Sequence, residues 1–103
     1  MVRAVRWAQS ALDDFDSAVA HLRERDPAAA ERMVSEIDRA ATGLGRRNTG
    51  RFGRVPGTFE KSVPKWRYII AFQILPDAQG VEEIVIVHVI HTARHWPKGE
   101  WPA

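Results

Sequence analysis

Arg67, His91 and Arg94 are the residues of this 103-residue chain best suited to chemistry. An arginine on a strand can aim a planar, permanently charged guanidinium at a phosphate. A histidine where a strand runs out can give or take a proton near neutral pH. Arg94 follows His91 by three residues. The bland alternatives are a salt bridge for Arg67 and a hydrogen-bonding or capping role for His91. His88, His91 and His95 raise the question of a metal. In a strand, residues three apart point to opposite faces, and with no cysteine in the chain the expectation is no metal and no cofactor. His21, one residue before an apolar helical position, reads as a surface residue.

A second group is suited to gripping rather than reacting. Residues 46–67 hold Arg46, Arg47, Arg51, Arg54, Lys61, Lys65 and Arg67 against Glu60 alone. The first fifty residues, by contrast, carry eight arginines and eight acids. Such a stretch invites an anionic partner, although it also fits a solvated loop. Two Trp-Pro pairs, at Trp96 and Trp101, stand in a terminal segment too short to build its own core. Large aromatics so placed either dock back or await a partner.

These residues need elements to position them. Val2 to Trp7 reads as a short strand near a sheet edge. Ser10 is the expected N-cap of a first helix, with Asp13 three residues on in capping-box spacing. Leu12, Phe15, Val19 and Leu22 supply its apolar stripe. Asp26-Pro27 breaks the chain and starts a second helix, Asp26 as cap and Pro27 at the first position. Ala30, Met33, Val34, Ile37, Ala41 and Leu44 form its stripe, and Gly43 and Gly45 end it. The absence of a linker predicts an antiparallel helical hairpin.

Residues 45–57 read as a long glycine-punctuated loop, of the kind that often carries function. Thr58–Val63, Trp66–Leu75 and Val81–His91 then read as three strands in an antiparallel meander. Trp66, Tyr68, Ile70, Phe72 and Ile74 alternate on one face, with Trp66 and Tyr68 at the core or its rim. The run Ile84 to Val87 suits burial on both faces. The expected class is α+β, in the order β-α-α-β-β-β, with the N-terminal helical hairpin packed on a small antiparallel sheet. One domain over residues 1–103 is expected, with 92–103 as a C-terminal tail. No apolar run approaches the roughly 20 residues of a membrane span, and the N-terminus lacks a signal-peptide core. A soluble cytoplasmic protein with no membrane partner is the expectation.

The order of elements and three motifs resemble the RelE/ParE family of toxins. The motifs are Gly53-Arg54-Val55-Pro56-Gly57-Thr58, Arg67-Tyr68-Ile69-Ile70-Ala71-Phe72, and Val89 to Pro97 with its His91-Thr92-Ala93-Arg94-His95-Trp96. The tail is similar to the ParE-like side of the family. The resemblance covers the whole chain and implies the hairpin-on-sheet fold. It also implies a cognate antitoxin, ParD-like or another small acidic protein, in a hetero-oligomeric complex. RelE-like members cleave messenger RNA on the ribosome, whereas ParE-like members are described as poisons of DNA gyrase.

RNA cleavage requires a proton acceptor for the 2′-OH, a cation for the phosphate and an acid for the leaving oxygen. Arg67 and His91 match, in position, the arginine and histidine of RelE-family nucleases, and Arg94 is a third candidate. Some of those nucleases also carry a carboxylate in the loop before the second strand. Here residues 46–57 contain no Asp or Glu, and Glu60 falls on the strand itself. That departure favours a ParE-like action on gyrase. Such an action needs a basic, aromatic surface rather than an acid–base set. The expected target- or antitoxin-binding residues are Arg51, Arg54, Lys61, Lys65, Trp66, Trp96 and Trp101, with Arg94 beside them. The basic stretch and the face around Trp66 are expected to bury against the antitoxin, over about 1,000 Å² or more. An mRNA endoribonuclease and a decayed, complex-forming toxin remain the alternatives.

Overall fold

Two helices lie on one face of a five-stranded sheet in a computed structural model that describes residues 2–102. The elements are β1 (Val5–Trp7), α1 (Gln9–Arg25), α2 (Pro27–Gly43), β2 (Arg51–Phe52), β3 (Phe59–Val63), a 3₁₀ turn (Pro64–Trp66), β4 (Tyr68–Pro76) and β5 (Glu82–His91). The strand order is β1-β5-β4-β3-β2. The hairpin and the β3–β4–β5 meander are as the pattern of apolar residues predicts. Among the described residues no helix is long and apolar enough to cross a membrane.

The sheet departs from the expected one in two ways. It is mixed, because β1 pairs with β5 in parallel, Val5 opposite Ile84 and Trp7 opposite Ile86. It also gains the two-residue strand β2 from within the presumed loop, Arg51 opposite Glu60 and Phe52 opposite Phe59. Both pairings join segments whose own sequence carries no partner information.

The core lies between the hairpin and β3, β4 and β5. Met33, Ile37 and Leu44 of the second stripe and its extension meet Ile70, Phe72, Ile84 and Ile86 of the sheet, and all seven are essentially inaccessible to water. Each such side chain contributes about 1.5 to 3 kcal/mol by leaving water. Ile69, Ala71, Val85 and Ile90 alternate with these residues and are buried on the opposite face. A bulge opposite Ala71/Phe72 keeps Ile86 and Val89 on the helix side despite their odd spacing.

Asp26 caps α2 as expected, accepting the Ala29 N–H at 3.0 Å, with Pro27 following. The start of α1 differs. Helix α1 begins at Gln9 with Ala8 in the cap position and no side-chain cap. Ser10 instead donates to the Val87 carbonyl at 2.6 Å. The reason lies in the sheet. Pairing with β1 ends at Ile86, which leaves the β5 edge beyond it to be satisfied by something else. Ser10 takes the Val87 carbonyl and Asp14 accepts the Val89 N–H at 3.0 Å. That rotation of α1 buries Ala11, Ala18 and Val19, while Phe15 and Leu22 flank the core and Leu12 is left exposed.

Trp66 is a further correction. It belongs to the 3₁₀ turn rather than to a strand, because Pro64 cannot continue the ladder and Arg67 adopts a left-handed conformation, φ 59°. Strand β4 starts only at Tyr68.

Candidate functional site

Two clusters emerge, one on each side of the sheet. The first is a cleft of about 460 Å³ between the C-terminal half of α1, the 3₁₀ turn and the facing ends of β4 and β5. Arg67 and His91 both line it, so the structure brings together two residues that are 24 positions apart in sequence. Tyr68 sits directly opposite His91 in the ladder, with the rings edge to face at 5.0 Å. Arg67 is fixed by its backbone, its carbonyl accepting the Thr92 N–H at 2.8 Å. Its left-handed φ is unusual for a non-glycine residue and costs about 1 to 2 kcal/mol.

His91 is tied down on one side. Its Nδ1 accepts the Ala93 N–H at 3.1 Å. In that arrangement the neutral ring carries its proton on Nε2, and its acceptor nitrogen faces the Ala93 backbone. Burial pushes the Tyr68 hydroxyl above its ordinary value of 10.0, with Arg25 pulling the other way, so the phenol stays protonated and can donate. Arg94 lies beside His91 in a shallower adjoining recess with Asp14 and Ser17, outside the main cleft.

Lys65 and Trp66 line the same cleft, yet both are held by α2. Lys65 Nζ lies 3.0 Å from Glu36 Oε1, and the Trp66 indole N–H donates to the other oxygen of that carboxylate. The two donors lower the Glu36 pKa, Lys65 first and Trp66 second, against a smaller opposing effect of burial. Lys61 is elsewhere, opposite Ile70 on β3. The binding residues expected around Trp66 therefore do not form one open strand face: Trp66 is partly buried and its polar edge is satisfied.

The second cluster joins the arginine loop to the tail. Glu60 is 3% exposed and organises it. Its carboxylate accepts the Arg54 N–H at 2.8 Å and lies 3.8 Å from both the Arg51 and Arg54 guanidinium groups. The Arg54 guanidinium covers the Trp96 ring at 4.1 Å, and Trp96 stacks near Trp101 at 6.1 Å. Trp101 in turn meets the His88 ring at 4.7 Å, and His88 Nδ1 lies 2.9 Å from Asp14. The tail thus docks back, and Arg51, Arg54, Trp96 and Trp101 form one surface. On the other, helix-side face of the same outermost strand, Phe52 is 86% exposed and ends a cross-strand stack with Phe59 and the core residue Phe72.

Four contributors were not read as site residues from the sequence. Glu36 and Asp14 lie on helices among many acids, and nothing in their spacing marks the strand ends they serve. His21 and Arg25, one helical turn apart on α1, line the cleft opposite Arg67. Their i, i+4 spacing was the available signal.

A family model described as the ParE toxin of the type II toxin–antitoxin system parDE matches residues 5–96. The Sinorhizobium fredii protein Y4kP, provisionally named a toxin, is 32% identical over 97 residues, covering 93% of this chain and 95% of its own. Among solved structures, a chain of the chromosomal ParDE TA system from P. aeruginosa superposes with a TM-score of 0.75 at 21% identity. It covers 87% of this chain and 96% of its own length. A chain of the toxin–antitoxin complex RelBE2 from Mycobacterium tuberculosis gives 0.55 at 22% identity, over 88% of this chain and 99% of that one. At those identities the two structures speak for the shared fold.

Proposed function

This chain belongs to the ParE toxin family of type II toxin–antitoxin systems, and from that premise we propose that it arrests growth by binding DNA gyrase. In this reading a cognate antitoxin, ParD-like or another small acidic protein, neutralises it in a hetero-oligomeric cytoplasmic complex. The observation that carries the reading is the engagement of the two acid–base candidates that the sequence offers, His91 and Glu60. His91 spends its Nδ1 lone pair on the Ala93 N–H. Glu60, the acid nearest the arginine loop in sequence, is buried beneath Arg51 and Arg54. The cleft that holds Arg67 and His91 has no carboxylate in its lining.

A binding toxin needs instead a rigid surface rich in arginine and tryptophan, the residue types that anchor protein interfaces. Arg51, Arg54, Trp96 and Trp101 supply it in an already assembled form, with Arg94 on the same tail. The members of that surface are cationic and aromatic, which suits an acidic antitoxin segment as well as a protein–DNA target.

One observation favours the other reading. Arg67 and His91 line the same cleft, as a RelE-like mRNA endoribonuclease would require. Induction of the chain alone separates the two. DNA-damage signalling with intact messengers supports gyrase as the target. Ribosome-dependent messenger cleavage lost in His91→Ala and Arg67→Ala supports the nuclease, and no growth defect would point to a decayed toxin that only forms complexes.

A further inference from the structure

The outward face of α2 has no part in either cluster, and its charges are sorted by sign. Glu31, Arg32, Asp38 and Arg39 are exposed along it, around a floor of Ala28, Ser35 and Thr42. At about 100° per residue, Glu31 and Asp38 fall roughly 40° and 60° to one side of Ser35, and Arg32 and Arg39 roughly 60° and 40° to the other. The helix thus carries a row of acids and a row of bases with small side chains between them. Two shallow hollows of about 500 and 510 Å³, which share Ser35 and Arg39, run along it.

A solvated helix face usually answers its charges within the helix, at i, i+3 and i, i+4. This one does not. Three and four residues either side of Glu31 and Asp38 stand Pro27, Ala28, Val34, Ser35, Ala41 and Thr42, none of them basic. The one acid so spaced from Arg32 and Arg39 is Glu36, and Lys65 and Trp66 take its two oxygens. Arg39 acts on it only as a longer-range charge. Among the described residues, Glu31, Arg32, Asp38 and Arg39 make no side-chain hydrogen bond or ion pair. A partner must therefore bring the opposite rows, and a second copy brings them in one orientation. In an antiparallel pair, two-fold symmetry sets acid row against acid row. In a parallel pair the axis runs along the helices, so Glu31 meets Arg32 of the second copy and Asp38 meets its Arg39. Ala28, Ser35 and Thr42 then face their own counterparts, and their small size permits the 8 to 10 Å or so between axes of packed helices.

We propose that the outward face of α2 pairs two copies of this chain in parallel, with Ser35 beside the two-fold axis and the Glu31–Arg32 and Asp38–Arg39 contacts each formed twice. A helix of 17 residues is only about 25 Å long, so the face is smaller than a stable interface, and its ion pairs are exposed. The dimer is accordingly weak and sensitive to salt. It depends on neither gyrase nor an antitoxin, because none of the residues assigned to those partners lies on α2.

The test is sedimentation equilibrium of the purified full-length chain from micromolar to millimolar concentration, with circular dichroism to check that each variant is folded. A monomer–dimer equilibrium is expected, weakened at least tenfold on passing from low to high salt. Arg39→Asp should weaken it at least tenfold, and Asp38→Arg combined with Arg39→Asp should restore it to within about threefold. Arg23→Asp, the same charge change on α1, should stay within twofold. The chain has no cysteine, so Ala28→Cys and Thr42→Cys each carry a single thiol, and each should cross-link to its own kind on mild oxidation. The proposal is overturned if the parent chain stays monomeric at millimolar concentration in low salt. It is also overturned if folded Arg39→Asp pairs as tightly as the parent, if the double substitution does not restore pairing, or if cross-links form only between Ala28→Cys and Thr42→Cys in a mixture.

Discussion

The guanidinium of Arg54 lies 4.1 Å from the centre of the Trp96 ring and so fastens the loop before β3 to the tail after β5. Neither segment has a core of its own. Together with Glu60 below and Trp101 beyond, they become a single ordered surface.

Replacing Trp96 with alanine removes that fastening. A partly exposed cation–π contact contributes about 0.5 to 2 kcal/mol. The melting temperature of Trp96→Ala should fall by several degrees, at about 4 to 8 °C per kcal/mol for a domain of this size. Growth arrest should be lost while circular dichroism stays native-like, and Trp96→Phe should recover part of both.

Glu60→Gln probes the other side of the same joint. The amide can still accept the Arg54 N–H, but the two guanidinium groups lose their buried counter-charge. Urea unfolding should show a loss of about 1 to 3 kcal/mol, the usual cost of weakening a buried charge-assisted hydrogen bond. An unchanged midpoint would mean that Arg51 and Arg54 do not depend on Glu60.

Arg67 holds a left-handed backbone that glycine adopts without penalty. Arg67→Gly should therefore be about 1 kcal/mol more stable than Arg67→Ala, although both lose the same guanidinium. Equal stabilities would show that the turn relaxes in the variants.

The pH dependence of the 3₁₀ turn follows from Glu36. Lys65 and Trp66 hold its pKa below the ordinary 4.5 in the folded chain. A carboxylate with a depressed folded pKa contributes stability above its unfolded value and loses it as pH falls through the folded one. Trp66 fluorescence should thus change in the range below pH 4.5, and Glu36→Gln should remove that transition.

The helices, their hairpin and the β3–β4–β5 meander were legible because each rests on local periodicity. Asp26-Pro27 reads as a helix start since cap and ring constraint act within one turn. Ser10 misled for the opposite reason: its hydroxyl serves Val87, far away in the chain, rather than its own helix. The parallel pairing of β1 and the strand at Arg51–Phe52 were hidden because edge pairing depends on a partner strand. Arg67 and His91 were legible as candidates, and their shared cleft follows from the β4–β5 register. What spacing could not convey was the state of the His91 lone pair, set by the Ala93 N–H.

The central claim is that this toxin acts by binding gyrase through the Arg54–Trp96 surface, without acid–base chemistry at His91. Its most direct test is a supercoiling assay with purified gyrase and three forms of the chain: parent, His91→Ala and Trp96→Ala. The account predicts that the parent and His91→Ala inhibit gyrase alike, while Trp96→Ala is at least tenfold weaker. Gyrase left fully active by the parent chain, at concentrations where that same preparation cleaves ribosome-bound messenger RNA, would contradict it.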